Sequence, residues 1–165
     1  HDQELSGGGA FMDMGAHAVH LMRTFIGPVE KVCATIGNAA GIYPGVDDNG
    51  TALFRFKSGG LGVVEASWVQ TGGASGLEVT GSEGTIYNDQ ELGYVIGAPG
   101  KDPVAVVKAD EKPTRIERLL RAIRGEVPAG ELAEDLQCAA DAVAIVEACY
   151  ASSEQGAWMD VSSLG

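Results

Sequence analysis

The stretch Thr51-Ala52-Leu53-Phe54-Arg55-Phe56-Lys57-Ser58-Gly59-Gly60-Leu61-Gly62-Val63-Val64-Glu65-Ala66-Ser67-Trp68-Val69 decides the fold. Ala52, Phe54 and Phe56 recur at every second position, the period of a half-buried strand. Lys57-Ser58-Gly59-Gly60 is a turn, and Leu61 to Val69 is a second strand. Parallel neighbours need a long crossover, so a turn this short makes the pair an antiparallel hairpin. The same grammar continues downstream. Leu77 to Thr80 and Thr85 to Asn88 read as strands around the turn Gly81-Ser82-Glu83-Gly84, with weaker strands near Tyr94 to Ile96 and Val104 to Val107. Upstream, Val29 to Ile36 is rich in β-branched residues and Asn38 to Gly50 is a loop.

Helices flank this block. The first is expected from about Phe11 to Ile26, ended by Gly27-Pro28, since Gly and then Pro stop helices. Thr114-Arg115-Ile116-Glu117 fits a capping box. The helix it opens carries Ile116, Leu119, Leu120 and Ile123 on one side, with Arg115, Arg118, Arg121 and Arg124 off it, read as a solvated face. The longest helix is expected from about Glu131 to Ser153, its first turns acidic (Glu131, Glu134, Asp135) as the helix dipole favours. Trp158 to Val161 reads as a short last strand. Strands in one block with helices at both ends predict an α+β fold, a largely antiparallel open β-sheet with helices packed on one face. On Leu61 to Val69 both faces carry apolar groups. The face away from the helices then needs other cover, and a second subunit supplies it.

The chain has 165 residues, 45% hydrophobic and 21% charged, enough for one domain with its own core. Its formal net charge of -12 argues against nucleic acid or an anionic membrane surface as partner. The apolar runs near Met22 and Val143 are broken by charges, so neither is expected to span a bilayer. Cys33, Cys138 and Cys149 lack CxxC spacing and read as free thiols of a reducing, cytoplasmic compartment.

Polar chemistry concentrates in the first helix. At 100° per residue, Phe11, Met14, Gly15, Ala18, Leu21, Met22, Phe25 and Ile26 form a broad apolar face, and Asp13, His17, His20 and Thr24 fall opposite, within roughly 60° of arc. Asp13 and His17 are four residues apart, about 6 Å along the axis. A carboxylate there can fix an imidazole for general acid or base work. By itself that spacing is more often that of an ordinary surface pair. Asp13, His17 and His20 also offer a metal set, but three ligands from one helix crowd a tetrahedral ion, and no metal is expected. Gly7-Gly8-Gly9 resembles a phosphate loop only superficially, because no strand precedes it and no G-x-G-x-x-G comes after it. With Gly15, which costs about 1 kcal/mol in a helix interior, it implies that something approaches this backbone closely.

Gly-Gly-Gly-x-x-x-Asp-x-Gly-x-His, over Gly7 to His17, resembles the opening of the C-terminal domain of the Gfo/Idh/MocA oxidoreductases, the glucose-fructose oxidoreductase and inositol dehydrogenase relatives. The hairpin ending in Glu65-Ala66-Ser67-Trp68, the unit Leu77 to Ile86 around Gly81-Ser82-Glu83-Gly84-Thr85, and the helix with Glu134-Asp135, Glu147-Ala148 and Tyr150 resemble later parts of it. The resemblance covers nearly the whole chain. It implies a fold like the C-terminal domain of glyceraldehyde-3-phosphate dehydrogenase. Residues 1–165 would be a single substrate-binding and dimerisation domain. Its N-terminal Rossmann partner, which holds NAD or NADP and a catalytic lysine, is expected to be absent from the chain.

The implied reaction is hydride transfer on a sugar, cyclitol or related alcohol. Asp13 and His17 match the family's Asp and His. His17 would be the base, and Asp13 would orient it or bind the substrate hydroxyl. His20 stands where the family usually has Asp, and either shapes the substrate pocket or extends the polar stripe. Glu111-Lys112-Pro113 spells the family's lysine triplet but precedes a late helix, out of its context, and reads as coincidence. The isolated chain is expected to be inactive, and the whole protein to be a homodimer or homotetramer through the sheet face. The alternative is a non-catalytic relative acting as a binding or scaffold protein.

Overall fold

The structure is a computed structural model that describes residues 3–72, 76–106 and 113–161. In chain order it has a short helix α1 (Gln3–Ser6), a π-helical turn (Phe11–Gly15) running into α2 (Ala16–Ile26), and strands β1 (Val29–Gly37), β2 (Asn49–Phe56), β3 (Leu61–Ser67), β4 (Val79–Thr80), β5 (Thr85–Asp89), β6 (Gly93–Gly97) and β7 (Val104–Ala105). Helices α3 (Arg115–Ile123) and α4 (Ala129–Gln155) and strand β8 (Met159–Asp160) complete it. Every strand pairing is antiparallel, and the sheets are open.

The α+β class with open antiparallel sheets and helices is as expected, but the strands read as one sheet divide in two. The strands form two four-stranded sheets, ordered β3-β2-β1-β8 and β4-β5-β6-β7. The chain makes two compact units, His1–Gln70 with Val127–Gly165, and Thr71–Glu126. Short turns dictate which consecutive strands pair, but not which hairpins join into one sheet. Glu111 and Lys112, the end of the strand expected to Val107, and residues 73–75 of the loop Thr71 to Gly76 lie outside the described residues.

In the first unit the period-two reading of β2 holds. Ala52, Phe54 and Phe56 are buried, while Thr51, Leu53 and Arg55 are exposed. The inner face, with Val32, Ala34, Val64 and Ala66, packs on Phe11, Val19 and Met22 and on Ala142, Ile145, Val146 and Cys149 of α4. Burying a Phe or Ile side chain contributes about 1.5–3 kcal/mol, so Phe11, Phe54, Phe56 and Ile145, all fully buried, dominate this core. Helix α4 also serves the sheet as an acceptor. Ser152 Oγ accepts from Ala34 N at 3.0 Å and Ser153 Oγ from Ile36 N at 2.8 Å. β8 pairs β1 only at Lys31 and Val32, so these serines satisfy edge amides beyond the reach of β8.

The face away from the helices stays open. Leu61 is 75% exposed, Val63 55% and Leu53 45%. Register places Leu53 between Cys33 and Val63, and Arg55 lies over the Trp158 ring at 5.7 Å.

The second unit carries the other sheet and α3. Its capping box is present: Thr114 Oγ1 accepts from Glu117 N, and Glu117 Oε2 accepts from Thr114 N at 2.7 Å. All four arginines of α3 and the turn after it are exposed, Arg121 lying 3.7 Å from Glu126.

Candidate functional site

The first helix departs from a regular wheel. Phe11–Gly15 is π-helical, its register marked by Ala16 N–H donating to the Phe11 carbonyl. A π turn adds a residue to one turn and so rotates the helix beyond it. The buried side is therefore Phe11, Gly15, Val19, Met22 and Arg23. Met14, Leu21 and Phe25, expected inside, are exposed and share their side with Asp13, His17 and Thr24. Arg23 is buried against α4, where a largely buried carboxylate, Asp141, and an exposed one, Glu134, receive its guanidinium. Its Nε donates to Asp141 Oδ2 at 2.6 Å and its Nη1 to Glu134 Oε1 at 3.3 Å, both on α4. Burial works to lower the Arg23 pKa, but the Asp141 hydrogen bond and the surrounding negative groups outweigh it, and the net direction is upward.

The glycines in front of this turn are packed against the chain itself. A Cβ on Gly9 would lie 1.9 Å from the Asp47 carbonyl oxygen, and one on Gly8 2.4 Å from the Tyr150 hydroxyl. Asp47 is the centre of the arrangement. Its Oδ1 accepts from Gly9 N at 2.8 Å, its Oδ2 from Phe11 N at 2.7 Å, and its backbone carbonyl from Ala10 N at 3.0 Å. The Tyr150 hydroxyl, reaching over from α4, donates to the same Oδ1 at 2.7 Å. Burial and this carboxylate push the Tyr150 pKa up, so the hydroxyl keeps its proton and remains a donor. Gly15 likewise faces the Phe11 ring, 3.2 Å from where its Cβ would be.

Asp48 extends the pivot. Its carboxylate accepts from Ala39 N and Ala40 N, each at 2.8 Å, and its carbonyl from Trp68 N at 2.9 Å. The sequence alone places Asp47 and Asp48 in a loop and assigns them nothing. Two consecutive acids directly before a strand, in a chain with a glycine-only loop in need of acceptors, are the available signal.

Asp13 and His17 both reach solvent beside the end of β3. The Asp13 carboxylate does not pair with His17. Its Oδ2 accepts from the Trp68 indole Nε1 at 2.9 Å, and the Trp68 ring meets Tyr43 edge-on, centroids 5.4 Å apart. Among the described residues no hydrogen bond joins the two predicted site residues. His20 is half-buried one turn on, its carbonyl accepting from Thr24 Oγ1 at 2.8 Å. No group of three or more His, Cys, Asp or Glu side chains among the described residues is placed to hold a metal.

The geometry also tests the fit of a dinucleotide. A phosphate cradle needs free backbone N–H groups, and those of Gly9, Ala10 and Phe11 are already taken by Asp47. The glycine loop does not fit a pyrophosphate. The buried thiol of Cys149 offers no nucleophile either. Burial pushes it up to about 12, and a thiol held that high carries almost no thiolate; burial also raises Cys138.

The fold and this loop define an α+β domain in which helices cover one face of an antiparallel sheet and a glycine turn opens the helix that carries Asp13, His17 and His20. Residues 1–87 match the family described as the GFO/IDH/MocA C-terminal domain, and the chain belongs to that family. Comparison with curated proteins gives no match. Among solved structures, levoglucosan dehydrogenase in complex with NADH and levoglucosan is similar at a TM-score of 0.74 and 20% identity, over 97% of this chain and 52% of that one. An NAD binding oxidoreductase from Klebsiella pneumoniae gives 0.72 and 21%, over 98% and 53%. The WlbA dehydrogenase from Bordetella pertussis, in complex with NADH and UDP-GlcNAcA, gives 0.63 and 25%, over 94% and 46%. The chain thus spans about half the length of the structures it matches.

Proposed function

We propose that this chain is the substrate-binding half of an NAD- or NADP-dependent oxidoreductase acting on a sugar, cyclitol or related alcohol by hydride transfer. One observation carries the reading. In a domain of this family, Asp13 is pinned through Trp68 and the Asp47 pivot while His17, a turn away, is left open to solvent. A ring nitrogen open to solvent can take the proton of a bound hydroxyl, and an oriented carboxylate can accept that hydroxyl or a neighbouring one. The nucleotide is held by a Rossmann domain outside this chain, in keeping with the spent amides of the glycine loop. Met14, Leu21 and Phe25, apolar and exposed beside the same residues, suit a face that such a domain covers. His20 lines the far edge of the substrate site. The test is a turnover screen of the whole protein with NAD and NADP against neutral sugars, cyclitols and polyols. Reduced nucleotide should accumulate with at least one of them. No turnover with any, and no binding of either nucleotide, would leave a binding or scaffold protein.

The open sheet face belongs to the same proposal. Leu53, Leu61 and Val63 are exposed on the side of the sheet away from the helices that pack its inner face. Isologous pairing of that face would give a homodimer or, with a second interface, a homotetramer. Sedimentation at high micromolar concentration should show a dimer or larger. Leu53→Asp, which sets a charge in the middle of the Cys33, Leu53, Val63 row, should shift it to monomer. A monomeric wild type rules out this role for the sheet.

A further inference from the structure

We infer that Trp68 is a positioning residue for this site: its indole N–H fixes one oxygen of Asp13 and leaves the other for the substrate. This rests on the functional reading above and adds a residue to it. The contact is a hydrogen bond to a carboxylate, 2.9 Å from Nε1 to Oδ2, between residues 55 apart in sequence. Such charge-assisted bonds are stronger than neutral ones and more directional in effect. A carboxylate on an exposed turn would otherwise sample several rotamers.

Trp68 is itself held from two directions. Its backbone N–H donates to the Asp48 carbonyl at 2.9 Å, and its ring packs edge-on against Tyr43. The turn bearing Asp13 is tied by Gly9 N and Phe11 N to Asp47. The dipeptide Asp47-Asp48 therefore anchors both ends of the Asp13–Trp68 contact, one residue for each side. Ligand-facing acids are effective when a supporting layer holds them within a fraction of an ångström, and loss of such support costs rate more than affinity.

The test has two arms. In 15N-labelled protein the Trp68 indole signal, identified by its loss in Trp68→Phe, should shift in Asp13→Asn while the Trp158 signal stays in place. In turnover, using whichever of glucose, myo-inositol and levoglucosan reacts fastest, Trp68→Phe should lower kcat about tenfold with KM within about twofold. The double variant Trp68→Phe/Asp13→Asn should be no slower than Asp13→Asn alone, because one residue acts through the other. Multiplying effects, or a change confined to KM, would overturn the role. So would an indole signal indifferent to Asp13. Should the wild type turn over none of the sugars, cyclitols and polyols screened and bind neither nucleotide while the indole still answers to Asp13→Asn, the hydrogen bond stands, and both the enzymatic reading and the positioning role built on it fall.

Discussion

Asp47→Ala should destabilise the chain by about 3 kcal/mol or more, and Asp47→Asn by less. Asp47 is 9% exposed, and its carboxylate accepts from Gly9 N, Phe11 N and the Tyr150 hydroxyl. Alanine leaves all three donors without their acceptor, and an unsatisfied buried donor costs about 1–3 kcal/mol. Water can reach the loop from the exposed Gly7 side, which keeps the total below three full penalties. Asparagine retains one carbonyl oxygen but turns an amide NH2 toward an N–H group, so its cost falls between. Tyr150→Phe removes a single donor and should cost about 1 kcal/mol. Urea unfolding monitored by circular dichroism measures all three. The order Asp47→Ala, Asp47→Asn, Tyr150→Phe is the diagnostic result. An Asp47→Ala variant within about 0.5 kcal/mol of wild type, the size of an ordinary surface substitution, would mean that the glycine loop is held by something else.

The same residues show how much can be read from the sequence. Alternation in β2 is legible because one face of that strand is buried and the other open, so the chain itself records the two environments. The box at Thr114 is legible because both partners lie within one turn. The wheel of the first helix is half legible. A uniform α-helical period places its faces, and the π turn at Phe11–Gly15 breaks that period without any local signature. Arg23 carries a charge that suits a surface, yet it is buried, because its two partners sit 111 and 118 residues away on α4. The glycines do mark a close approach, but the approaching groups are Asp47 and Tyr150, contributed by a loop and a distant helix. Pairings across long separation leave no periodic trace, and both the division into two sheets and the Trp68 contact with Asp13 are of that kind. Asp13 and His17 stand out through resemblance to a family motif, since their spacing alone is more often that of a surface pair.

His17→Ala should behave in the opposite way to Asp47→Ala. His17 is exposed, and its side chain has no hydrogen-bond partner among the described residues. A substitution at such a position usually changes stability by no more than about 0.5 kcal/mol, so the unfolding midpoint should stay where it is. In the whole protein, under the proposed function, the same change removes the group that takes the hydroxyl proton. Positioned acid-base groups contribute about 10²–10⁴-fold, so kcat should fall by that factor. The dissociation constant for NAD or NADP should stay within about twofold, because the nucleotide is bound elsewhere. Measuring kcat, nucleotide affinity and the urea midpoint on one preparation separates the possibilities. A lowered midpoint with proportionate loss of rate would make His17 structural, contrary to its exposure. Unchanged kcat would remove it from the chemistry and pass the base to another residue. A rate loss of two orders or more at constant midpoint is what a surface residue facing substrate must give. Beside it, Asp47→Asn should lose stability first and rate only as far as the Asp13 turn moves, which distinguishes the residue that reacts from the one that holds the turn in place.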